Sequence, residues 1–141
     1  MQLITKYAVI SDELKLPYVE QGDASGVPVI FLHGVTDSLR SYDLLLPRLS
    51  ERIHAFAVTQ RGHGDASRPE KGYVSGDFAA DLVKFMDFVG LESAVIVGHS
   101  MGSFNAQKFA IDYHERVSGL VLIGSFTTCK YNQGVIEFVE G

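Results

Sequence analysis

Gly98-His99-Ser100-Met101-Gly102 is the stretch that decides the fold. It has the form G-x-S-x-G, it follows the apolar run at residues 94–97, and a helical pattern over residues 101–113 comes after it. The pentapeptide therefore stands where a strand ends and a helix begins. A serine on so sharp a turn takes strained backbone and lifts its hydroxyl clear of the sheet. A side chain at either flanking position would strike the adjacent strand or helix, which accounts for Gly98 and Gly102. The first amides of a helix have no partner within it, so the Met101 N–H, helped by the helix dipole, can face a developing oxyanion. The bland alternative is a plain strand-to-helix turn with a serine cap. The position of the motif, more than its pattern, makes Ser100 a candidate nucleophile.

Outward from this point, short apolar runs recur at residues 29–32, 55–58 and 120–123 as well as 94–97, and such runs fit strands covered on both faces. Between them lie helical patterns. The clearest places Phe78, Leu82, Phe85, Met86 and Val89 on one face, between a Ser75 cap and a Gly90 stop. A second helix is expected over residues 40–49, and the helix after the pentapeptide should turn Ala106, Phe109, Ala110 and Tyr113 inward. The alternation predicts an α/β fold, a mostly parallel sheet with helices on both faces. Residues 7–10 and 18–21 read as two more strands joined too tightly for a crossover, hence an antiparallel pair at one edge.

A second signal comes from Phe31-Leu32-His33-Gly34-Val35, which closes an apolar strand and opens a loop. An oxyanion hole needs two donors. Gly34 would let the backbone turn so that the Val35 N–H faces the space above Ser100. Alone, His33-Gly34 would be an ordinary turn at a strand end.

Composition narrows the function classes. The chain has 141 residues, 46% of them hydrophobic, enough for one small domain with a real core. A net charge of −5 with scattered Lys and Arg offers no basic stripe for nucleic acid. No apolar run approaches a membrane span and the N-terminus has no export pattern, so no membrane partner is expected. The single cysteine, Cys129, cannot form an internal disulfide, and the expected location is cytoplasmic. Composition shifts after Ile123. Residues 1–130 read as a core and residues 131–141 as the start of a lid or cap, with a new element beginning near Val135.

Three landmarks in order, the His33-Gly34 loop, the segment Arg61-Gly62-His63-Gly64-Asp65-Ala66-Ser67, and the Gly98 to Gly102 elbow, resemble the N-terminal half of the α/β-hydrolase fold family. The likeness is greatest to its small lactonase, esterase and haloperoxidase-like members. The resemblance implies an incomplete α/β-hydrolase core, a Ser100 nucleophile, oxyanion donors at the Val35 and Met101 amides, and support from His33, Gly34, Gly98, His99 and Gly102. Members of the family usually carry Asp where Thr59 stands and Ser where Ala66 stands, departures that fall on a scaffold loop. Dehalogenases and epoxide hydrolases of this fold place Asp at the nucleophile position, so Ser100 argues against both.

The same resemblance shows what is absent, because the triad acid and histidine follow the elbow in the family's order. Only His114 comes after Ser100, at the far end of the elbow helix, and residues 124–128 hold no carboxylate. The sharp turn should send the His99 side chain toward packing or the pocket wall. His33, His54 and His63 read as turn, strand and loop residues, and their spacing suggests no metal site. No cofactor is implied. Two functions therefore stand open. One is a serine hydrolase acting on a small ester or lactone, whose base comes from a continuation of the chain or another polypeptide. The other is a non-catalytic half-fold serving as an association or complementation module. In either case the strand ending at Ile123 becomes an unprotected edge, expected to pair with a second copy or with the missing C-terminal half.

Overall fold

The computed structural model describes residues 3–127. It contains six strands, β1 (Lys6–Val9), β2 (Lys15–Gln21), β3 (Val27–Leu32), β4 (Ile53–Val58), β5 (Ala94–His99) and β6 (Val117–Ile123), and two α-helices, α1 (Ser75–Val89) and α2 (Met101–Asp112). They form one sheet in the order β1-β2-β4-β3-β5-β6. β4, β3, β5 and β6 run parallel, while β1 pairs antiparallel with β2 and β2 with β4. The expected hairpin at one edge and the mostly parallel sheet are both present.

The two faces of the sheet differ. Alternate residues of the strands, including Ile30, Leu32, Phe56, Val58 and Ile96, pack against Phe78, Leu82, Phe85 and Met86 of α1 and Ala106 and Phe109 of α2. Val29, Phe31, Ala55, Ala57 and Val97 point the other way, onto Leu39, Tyr42 and Leu46. These last three do not belong to the helix expected over residues 40–49. The segment is two 3₁₀ turns, Leu39–Tyr42 and Leu46–Arg48. Pro47 cannot donate to an α-helical ladder at that point, and the Ser38 hydroxyl starts the first turn by accepting from the Arg40 amide.

Helix α1 starts one position off the expected cap. Ser75 is its first residue, and the Asp77 carboxylate accepts from the Val74 amide at 3.1 Å, satisfying an end donor from within the first turn. The helix stops at Gly90 in the left-handed region, φ 76, as expected. In α2, Ala106 and Phe109 are buried, and Ala110 and Tyr113 are half-buried. Residues 128–141, which include Cys129 and the expected lid from Val135, lie outside the described residues.

Candidate active site

The carboxyl ends of β3, β4, β5 and β6 meet on one rim of the sheet, where an open α/β sheet presents a crevice. Ser100 sits on that rim between β5 and α2 with φ 52 and ψ −116. A non-glycine residue takes this conformation only when its surroundings force it. The forcing is visible. A Cβ on Gly98 would fall on the Gly102 carbonyl and 2.6 Å from the Ser103 Cα, and a Cβ on Gly102 would stand 2.6 Å from the His33 carbonyl oxygen. Strand, helix and the neighbouring β3 end thus touch through backbone. The Ser100 amide donates to the Ile123 carbonyl at 3.0 Å, and its own carbonyl accepts from the Ser103 amide and hydroxyl at 2.9 and 2.5 Å. The turn is tied on both sides and the Ser100 side chain is left to the rim.

The His33-Gly34 loop lies against it. A side chain at Gly34 would stand 3.4 Å from Ser100 Cβ and 3.2 Å from His99 Nδ1. Close approach to His99, rather than an unusual φ, is what a side chain there would meet. The left-handed residue of this loop is Thr36, φ 62, which corrects the expectation that Gly34 makes the turn. Ser100 and Thr36 are the two non-glycine residues with positive φ among those described. Among the described residues, neither the Val35 nor the Met101 amide has a hydrogen-bond partner.

His33 is buried and serves as a post. Its Nδ1 lies 2.7 Å from the Gly34 carbonyl oxygen and its Nε2 accepts from the Gln60 amide at 3.0 Å. Burial, opposed by the Gly34 contact, pushes its pKa down to about 4, so it stays neutral at ordinary pH. The Tyr42 hydroxyl, raised to about 12 by burial, donates to the Leu32 carbonyl at 2.9 Å and steadies the end of β3. Exposed His99 flanks Ser100, with its ring between Gly34 and Gly124.

The middle landmark buttresses the rim. Arg61 makes a buried bidentate pair with Asp81 of α1 and donates to the Gly72 carbonyl at 2.7 Å. Its charge is stabilised first by the Asp81 hydrogen bonds, raising its pKa further. Thr59, standing where the resemblance leads one to expect Asp, accepts from the Leu39 amide at 3.0 Å, so the loop keeps a buttress there. His63 packs its ring against that of His33, 5.0 Å between centroids. His54 pairs with Glu20 at 2.6 Å through β2 and β4, away from the rim. His114 stands two residues beyond the end of α2, and a helix of that length puts it roughly 18 Å or more from Ser100. Among the described residues, no group of three or more His, Cys, Asp or Glu is placed to hold a metal ion. No helix among them is long and apolar enough to cross a membrane.

A profile of the alpha/beta hydrolase fold matches residues 27–139, and the chain belongs to that family. It is 37% identical over 99 residues to a 2-(acetamidomethylene)succinate hydrolase of Mesorhizobium japonicum, covering 70% of this chain and 36% of that protein. It is 33% identical over 122 residues to epoxide hydrolase A of Mycobacterium tuberculosis, covering 84% of this chain and 38% of that one. The crystal structure of E-2-(acetamidomethylene)succinate hydrolase superposes with a TM-score of 0.82 at 33% identity, over 89% of this chain and 46% of its own. The chain therefore spans less than half the length of these relatives.

Proposed function

We propose that this chain carries the nucleophilic half of a serine hydrolase site that acts on a small ester or lactone. The observation that carries the reading is the strained, glycine-flanked Ser100 close to the Gly34 loop, with the Val35 and Met101 amides unpartnered among the described residues. In this reading the Ser100 Oγ attacks the carbonyl carbon and its proton passes to a histidine. The carbonyl π pair moves to oxygen, and the two amides hold the resulting oxyanion. Collapse expels the alcohol oxygen, which takes the proton back, and water then releases the acyl group by the same steps in reverse. The amide at the start of α2 adds the helix dipole to the charge stabilisation. The relatives include hydrolases of two kinds by name, and Ser100 favours the acyl route over epoxide opening.

The histidine and acid are proposed to come from a segment beyond the described residues or from another polypeptide. His33 is neutral and committed at both nitrogens, and His114 is at the wrong end of α2. Support for a missing partner comes from β6, where Leu120, Val121, Leu122 and Ile123 remain 40, 45, 39 and 45% exposed. The test is the hydrolysis of p-nitrophenyl acetate by residues 1–141 alone and together with the segment that supplies the histidine. Loss of the histidine costs about 10⁶ in turnover in a serine protease, so the chain alone should be nearly inactive and the complete site active. Enzyme-like turnover by the chain alone, abolished by Ser100→Ala, would show that a base within it suffices.

A further inference from the structure

The Gly34 carbonyl and the Val35 N–H belong to one peptide group, which like every other among the described residues is trans, so the two point in opposite directions. Whatever grips the carbonyl therefore aims the amide. The grip is His33 Nδ1, at 2.7 Å. A carbonyl only accepts, so Nδ1 carries the ring proton. The Gln60 amide only donates, so His33 Nε2, 3.0 Å away, is bare.

The same logic orients the side chains behind it. Gln60 Nε2 faces the His33 carbonyl at 2.9 Å and must donate, which leaves Gln60 Oε1 to accept from Asn105 Nδ2 at 2.9 Å. The result is a one-directional chain from α2, through the loop after β4, to the peptide after β3. Its three members, Asn105, Gln60 and His33, are buried, and no buried side-chain nitrogen or oxygen among the described residues lacks a partner. A turned-over Gly34–Val35 peptide would set its N–H against the His33 N–H, two donors face to face. Asn105 stands one helical turn after Met101, so the network refers both amides of the site to the same helix.

We propose that Gln60, held by Asn105, is a positioning residue that fixes His33 and thereby locks the Gly34–Val35 peptide with its N–H turned toward Ser100. The proposal rests on Val35 as an oxyanion donor, and its test separates the two. In wild-type protein, ¹⁵N spectra of the His33 ring should show a protonated Nδ1 and a bare Nε2 at pH 7; the opposite tautomer or a charged ring would overturn the network. In the complete site, the near-isosteric variants Gln60→Met and Asn105→Leu should each lower kcat on p-nitrophenyl acetate by about 10²-fold while KM stays within about twofold. Unchanged kcat in both variants, with Ser100→Ala inactive, would overturn the positioning role and leave the nucleophile standing. Full activity in Ser100→Ala would overturn the reading beneath it. The ring spectra need no variant, so they decide the matter even where a substitution unfolds the protein.

Discussion

Arg61 holds both carboxylate oxygens of Asp81, Nε to Oδ2 and Nη2 to Oδ1 at 2.6 Å each, and joins the rim of the sheet to the middle of α1. Both side chains are buried, so removing one leaves an uncompensated charge. Asp81→Ala should destabilise the fold by about 3 to 5 kcal/mol in urea unfolding, and the double variant Arg61→Met, Asp81→Leu should recover most of that loss. A single variant within about 1 kcal/mol of wild type would mean that the pair is open to water, as surface pairs are.

The elbow glycines make a steric prediction with an internal control. A Cβ at Gly98 or Gly102 meets backbone closer than any real Cβ does, whereas one at Gly76 in α1 meets nothing nearer than the Lys108 Cε at 3.8 Å. Gly98→Ala and Gly102→Ala should each cost about 2 kcal/mol or more by overpacking. Gly76→Ala should gain about 0.5 to 1 kcal/mol from the helix preference of alanine over glycine. Thermal melts of the three variants check both signs.

His33 gives stability a defined pH dependence. Its pKa falls from 6.5 in the unfolded chain to about 4 in the fold, chiefly through burial; neighbouring His63 deepens the fall while the Gly34 carbonyl and Asp37 oppose it. Between these values the unfolded chain binds the extra proton, so stability is full above pH 6.5 and drains away as pH falls toward 4. The loss amounts to roughly 3 kcal/mol across that window. His33→Asn should lower stability at pH 7 and flatten the slope between pH 6.5 and 4.5. An unchanged slope in the variant would assign the dependence to other groups.

Strand β6 predicts association. It pairs only with β5 among the described residues, and its apolar side chains are exposed on both faces, Leu120 and Leu122 on one and Val121 and Ile123 on the other. It has no proline, lysine or other charge to keep a second strand away. Residues 1–141 should sediment as a dimer or larger at micromolar concentration, and Val121→Lys should shift them toward monomer. A compact wild-type monomer with a cooperative melt would mean that the remaining residues cover this edge.

What the sequence made legible and what it hid have separate causes. The runs of β3, β4, β5 and β6 and the face of α1 are continuous local patterns, and the elbow is a local motif, so each could be read in place. The segment over residues 40–49 misled because Leu44, Leu45 and Leu46 give it helical apolar content, yet Leu44 is 78% and Leu45 40% exposed and only Leu46 is buried. The first strand lies one residue earlier than its pattern, and the second begins at Lys15, three residues before its apolar run, with Pro17 inside it accepting through its carbonyl from the Thr59 amide. Arg61 with Asp81 and Gln60 with Asn105 pair residues 20 and 45 positions apart, and no periodicity records such partners. Asp81 could have been noticed as a carboxylate on the otherwise apolar face of α1. Asn105 offered no such signal.

The central claim is that Ser100 is the nucleophile, and a covalent trap tests it most directly. The chain, together with the segment that supplies the histidine, is treated with a fluorophosphonate, digested and mapped by mass spectrometry. The account predicts one phosphonyl group on the peptide that contains Ser100, and none after Ser100→Ala. An adduct on another residue, or equal labelling of the Ser100→Ala protein, would contradict it.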